Sequence, residues 1–155
     1  MTGQNNKPIP DWETLTFSLT ETDFMYRSFG NTERASVWDE GAYIPFEDIR
    51  ISPAAALMSY GVGVFEGLKA QRTTGGKILL FRPDANGRRM QNSAERLMMP
   101  PFPIEQFVES CVELVRRNER FVPPPEYGSL YLRPMQHAIE PQLGLGPCSK
   151  LATHI

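Results

Sequence analysis

Proline decides where this chain can be helical. It fixes φ and lacks an amide donor, so it opens helices at their first position and breaks them in the interior. Pro83 begins a segment reaching Met99 with Met90, Ala94, Leu97 and Met98 at near-helical spacing, and Pro100-Pro101 stop it. The next segment puts Ile104, Phe107, Val108, Cys111, Val112 and Val115 on one face, with Glu105, Glu109, Glu113, Arg116 and Arg117 away from it. The triple proline at 123–125 ends that helix. Ser52-Pro53 reads as the capped start of a short helix running to Met58 and ending at glycines.

The remaining segments read as strands and turns. Phe17 to Tyr26 and Ala42 to Ile51 suit strands, with turns at Gly30-Asn31 and Glu40-Gly41. Val64 to Gln71 and Lys77 to Phe81 flank Thr73-Thr74-Gly75-Gly76 as a hairpin, and Gly128 to Arg133 is a returning strand closed by Pro134. This irregular order predicts an α+β fold, an antiparallel sheet with helices packed on it. A dinucleotide loop is excluded: after Gly61 and Gly63 the third glycine of the pattern would fall at Glu66, and no strand precedes it.

Residues 1–11, polar and carrying Pro8 and Pro10, read as a disordered leader before a single domain over 12–155. A net charge of -2 with no dense Lys/Arg block argues against a nucleic-acid partner. No apolar run is long enough for a membrane helix, and the N-terminus lacks the character of a signal peptide. The default compartment is cytoplasmic, with an organellar form made from a longer precursor left open. Cys111, Cys148, His137 and His154 have no metal-ligand spacing, so no metal is expected.

The stretch Met58 to Ala70 packs three glycines into seven residues, and strand alternation gives Phe65, Gly67 and Lys69 one face. Gly67 leaves a notch there. Spacing alone favours close packing of another element over a flat ligand. Tyr131 and Arg133 share a face by the same rule, suited to an anion or to a protein carboxylate. Arg82 stands just before a helix start, where a cation is locally unfavourable. A phosphate would relieve that conflict, and so would Asp84.

Together, Tyr60-Gly61-Val62-Gly63-Val64-Phe65-Glu66-Gly67-Leu68-Lys69-Ala70, Leu80-Phe81-Arg82-Pro83-Asp84, Arg89-Met90 and Ser129-Leu130-Tyr131-Leu132-Arg133-Pro134 resemble the small N-terminal domain of branched-chain amino-acid aminotransferases. These are fold-type IV enzymes dependent on pyridoxal 5'-phosphate. The resemblance runs from about Trp12 to about Pro147. It implies transfer of the amino group of leucine, isoleucine or valine to 2-oxoglutarate. It also implies that Arg82 holds the cofactor phosphate, that Phe17, Tyr60, Phe65 and Tyr131 wall the substrate pocket, that Arg133 organises its polar side, and that Gly67 gives the substrate room. The loop Leu143-Gly144-Leu145 is similar to one that enters the partner subunit's site, which implies a homodimer; a separate C-terminal half is the other partner expected.

In that family the Schiff-base lysine belongs to a large C-terminal domain, and this sequence stops at Ile155 before it. No catalytic residue is therefore expected in this chain, and alone it is expected to be inactive; Lys69 does not match the Schiff-base lysine. A fragment, a split-gene half and a decayed, noncatalytic binding or dimerisation module all remain open. Related enzymes acting on D-amino acids or aminodeoxychorismate fit the motifs less well. Ser18, where relatives often have glycine, and Gln136-His137-Ala138 depart from the family pattern and leave substrate identity open.

Overall fold

The computed structural model describes residues 7–155. Eight strands and three helices follow in the order β1 (Phe24–Asn31), β2 (Ala42–Pro45), α1 (Ala56–Tyr60), β3 (Gly63–Phe65), β4 (Leu68–Arg72), β5 (Ile78–Leu80), α2 (Pro83–Arg96), α3 (Ile104–Arg117), β6 (Leu130–Leu132), β7 (Met135–Ala138) and β8 (Lys150–His154). A five-stranded sheet has the order β2-β1-β8-β7-β3, and a three-stranded sheet the order β5-β4-β6. Every pairing is antiparallel. The fold is α+β, as the order of elements predicts.

The two sheets share one broken ribbon. β3 pairs Gly63 with His137 and Phe65 with Met135, while β4 pairs Leu68 with Leu132 and Ala70 with Leu130. The register therefore runs through without a slip, interrupted only where Glu66 and Gly67 face Arg133 and Pro134. The Glu66 amide donates to the Pro134 carbonyl at 2.8 Å, and proline has no N–H to return the bond. That missing donor is why the expected single strand from Val64 to Gln71 becomes two. Alternation survives the break: Glu66, Leu68 and Ala70 are buried while Phe65 and Lys69 are exposed.

Helices α2 and α3 cover the buried face. Met90 and Ala94 of α2 and Phe107, Cys111, Leu114 and Val115 of α3 join Leu68, Ala70 and Leu132 in one core. Gly87 lets the helices approach, since a β-carbon there would lie 3.2 Å from the Phe107 ring. Burial pushes the Cys111 thiol up to about 12, the behaviour of an inert core cysteine. Trp38 closes the far side, its ring edge-on to Phe102 at 5.0 Å and its indole N–H bonded to the Pro101 carbonyl at 3.0 Å.

Several boundaries differ from the sequence reading. The first strand begins at Phe24 rather than Phe17, and Gly30-Asn31 lies at its end instead of in a turn. The second stops at Pro45, well before Ile51. Ser52 accepts from the Ala54 amide in a local turn and does not cap α1, which starts at Ala56 and ends at Gly61 in the left-handed conformation. Strands β7 and β8 were not expected; their buried Gln136, His137, Thr153 and His154 mask the apolar pattern of a core strand. Of the leader, residues 1–6 lie outside the described residues. Lys7, also read as leader, is anchored: its amide donates to Asp23 and its ammonium to Glu21 at 2.7 Å.

Candidate active site

The ribbon break gathers five of the expected site residues. Arg133 faces Gly67 across the break, and Tyr131 sits one step away, opposite Lys69. The Arg133 Nε donates to the Tyr131 hydroxyl at 3.2 Å, and its guanidinium lies 4.5 Å from the Phe65 ring centre and 5.2 Å from that of Tyr131. Phe17 meets Tyr131 edge-to-face at 5.3 Å. A β-carbon at Gly67 would overlap the Tyr131 hydroxyl and approach Cζ to 2.9 Å. Gly67 thus leaves the space in which the Tyr131 hydroxyl lies. Lys69 shares this strand face and is exposed.

Phe17 is 85% exposed and Phe65 62%, so the cluster is an open wall. Phe17, Tyr131 and Arg133 line a cleft of about 600 Å³ together with Trp12, Leu15 and Tyr127 among others, and Phe65 and Gly67 lie outside that lining. That volume is in the range of small-molecule sites.

Tyr60 stands elsewhere. At the C-terminal end of α1, its hydroxyl donates to the Leu143 carbonyl, which tethers the loop holding Leu143, Gly144 and Leu145. Leu143 and Leu145 are 86% and 84% exposed. Arg82 forms a third location at the start of α2, with φ of 46° in the left-handed region. Asp84 does not neutralise it but pairs with Arg88 at 3.4 Å, and among the described residues Arg82 has no carboxylate within salt-bridge distance. An exposed, unpaired guanidinium at the amino end of a 14-residue helix fits a phosphate group.

One residue at the break was missed as a functional candidate. Glu66 is buried, and Arg89 grips its carboxylate with both ends of the guanidinium fork, at 3.1 and 2.6 Å. The Asn86 amide bridges the same carboxylate at 2.9 Å and the Gly67 carbonyl at 3.1 Å. Burial works to raise the Glu66 pKa, but Arg89 and Asn86 outweigh it and hold the carboxyl below its ordinary value. The available signal was a charged residue on the inward face of an apolar strand, with Arg89 at the right side of the following helix.

Two antiparallel sheets joined by a broken ribbon, with helices over one face, are the architecture this chain shares with solved branched-chain aminotransferases. Across 88% of its length the chain is a homologue of branched-chain aminotransferases and corresponds to their N-terminal domain. It is 47% identical over 137 residues to the chloroplastic branched-chain-amino-acid aminotransferase 5 of Arabidopsis thaliana, and covers 32% of that protein. It is 44% identical over 136 residues to the methionine aminotransferase BCAT4 of the same plant, covering 88% of this chain and 38% of the relative. The fold superimposes on a T.th. branched-chain amino acid aminotransferase complexed with N-(5'-phosphopyridoxyl)-L-glutamate with a TM-score of 0.63 and 27% identity, over 88% of this chain and 41% of that one. The Thermoproteus uzoniensis enzyme with norvaline gives a TM-score of 0.61 and 25% identity, over 85% of this chain and 40% of that one. This chain spans roughly a third to two-fifths of the length of such relatives. No family model matches it.

Proposed function

We propose that this chain forms one wall of the active site of a pyridoxal-phosphate-dependent aminotransferase that moves the amino group of leucine, isoleucine or valine to 2-oxoglutarate. The observation that carries this reading is the cluster of Phe17, Phe65, Tyr131 and Arg133 around Gly67. Three aromatic rings suit an aliphatic side chain, and an arginine fork suits a carboxylate. A branched-chain amino acid and 2-oxoglutarate carry those groups between them.

Arg82 is the residue that would hold the cofactor phosphate, at the positive end of the α2 dipole. When bound, pyridoxal phosphate supplies an electron sink for the charge developed at the substrate α-carbon. In this wall the protein's own part is to bind and orient. Phe17 and Phe65 exclude water from the side chain, Tyr131 spans Gly67, and Arg133 holds the Tyr131 hydroxyl in place. No catalytic acid or base is assigned to these residues, and the 155-residue chain by itself is proposed to be inactive.

Exposed Leu143 and Leu145, on a loop fixed by Tyr60, support a homodimer in which this loop reaches the other subunit's site. Among the described residues no helix is long and apolar enough to cross a membrane, and a cytoplasmic location is proposed. Assay of the natural gene product with leucine, isoleucine, valine and methionine as donors and 2-oxoglutarate as acceptor tests the reading. Glutamate formation from the branched donors is expected. Activity confined to D-amino acids, or none with pyridoxal phosphate present, would overturn it.

A further inference from the structure

We propose that Glu66 is a positioning residue that locks the phosphate-binding end of the site to the substrate wall. This rests on the functional reading above. Glu66 is bonded, directly or through Asn86, to all three pieces that the site needs in a fixed relation. Its carboxylate takes Arg89 and Asn86 from α2, the helix that Arg82 precedes. Its amide donates to Pro134, the residue after Arg133. Asn86 also holds the carbonyl of Gly67, over which Tyr131 lies.

The geometry explains why a carboxylate is needed here. At the break the ladder loses a bond because Pro134 cannot donate, so a single backbone bond, from the Glu66 amide to the Pro134 carbonyl, is left to set the angle between its two halves. The side-chain clamp replaces that missing constraint. Glu66 accepts three hydrogen bonds, two of them from a guanidinium and one from an amide. A glutamine would turn one oxygen into a donor facing other donors, so the clamp would open while the volume stayed the same. With the wall loosened, substrate contacts weaken before and during the reaction alike, which raises KM more than it lowers kcat.

The test compares Glu66→Gln, Arg89→Met and the double variant of the natural gene product, with Asp23→Asn as control. Asp23 is an equally buried carboxylate gripped by Arg120 at 2.7 Å, away from the ribbon break. For Glu66→Gln, KM for leucine rises about tenfold and kcat falls less than about threefold, as expected for lost uniform binding. Arg89→Met reproduces the effect, and the double variant adds little to either, because both residues act through one contact. Asp23→Asn lowers the melting temperature and leaves KM unchanged. If Glu66→Gln lowers the melting temperature but keeps the wild-type KM, Glu66 is only a stability device and the inference fails. Additive effects on KM overturn it as well. An unmodified protein with no transaminase activity overturns the functional reading and this inference with it, an outcome distinct from an active enzyme that is indifferent to Glu66.

Discussion

The Tyr131 hydroxyl lies across the backbone of Gly67, in space that any β-carbon at position 67 would occupy. The two residues are diagonal neighbours on the broken ribbon, since Tyr131 pairs with Lys69. The tyrosine's place is thereby fixed by the absence of a side chain, and its hydroxyl is delivered to Arg133 at 3.2 Å.

Gly67→Ala therefore displaces Tyr131 without breaking the core. The atom that must move is the far end of a half-buried side chain, and the φ of Gly67 is not in the left-handed region. A stability loss of about 1 kcal/mol, the lower end for added core atoms, is expected by thermal denaturation. The KM for branched donors is expected to rise far more than that small loss suggests, and an unchanged KM would remove Gly67 from the pocket.

Arg82→Met separates phosphate binding from folding. The side chain is exposed and has no carboxylate partner among the described residues, so the melting temperature of the unliganded protein should hold. Pyridoxal phosphate affinity should fall by about 10- to 100-fold, the loss of a hydrogen bond to a charged group worth about 1.5–3 kcal/mol. Titration of the gene product with the cofactor, followed by visible absorbance, measures it. Equal affinities in the two proteins would place the phosphate elsewhere.

The helices were legible because proline and period-3.6 patterning agree over residues 83–96 and 104–117. The hairpin of β4 and β5 was legible from its glycine-bearing turn. Strands β7 and β8 were not, because Gln136, His137, Thr153 and His154 place polar atoms where a pattern reader expects apolar ones. Of the site, the Tyr131–Arg133 pairing follows from period-2 alternation. The contact of Phe17 with Tyr131 does not, since more than a hundred residues separate them and Phe17 lies before the first strand. Glu66 was hidden for a simpler reason: its partners come from a helix 20 and 23 residues away.

Asn118 closes the end of the β1–β8 ladder. Tyr26 exchanges both backbone bonds with Ile155, and two residues earlier the same edge of β1 meets the Asn118 carboxamide instead of a strand. Its oxygen accepts from the Phe24 amide at 3.0 Å, and its nitrogen donates to the Phe24 carbonyl at 3.0 Å and to Leu114 at 3.1 Å. Asn118→Ala leaves the Phe24 amide unpaired beside the core, at a cost of about 1–3 kcal/mol, while the Phe24 carbonyl keeps the Thr22 hydroxyl and the Leu114 carbonyl keeps the Asn118 amide. Urea denaturation should show the lower midpoint with an unchanged slope, and Asn118→Asp should not restore it, because a carboxylate cannot donate to the two carbonyls.

His137 and His154 set the acid limit of the sheet. Their rings stack at 5.1 Å and 6°, both are buried, and His137 Nε2 and His154 Nδ1 have no hydrogen-bond partner among the described residues. Desolvation lowers both pKa values, that of His154 to about 4, with His137 and the Arg27 that pairs with it across β1 adding to the effect. Both rings are therefore neutral in the folded protein at pH values where the unfolded chain, near its ordinary 6.5, binds protons. The unfolded state holds more protons between about pH 6.5 and pH 4, so stability falls as pH drops through that window, by up to about 1.4 kcal/mol per pH unit for each proton. His154→Phe keeps an aromatic ring in the stack and removes one titrating group. Urea midpoints measured from about pH 8 to about pH 4 should show a shallower decline in the variant, with little change at the upper end, where neither ring is charged in either state. Parallel pH curves for the two proteins would show that His154 is not part of the acid response.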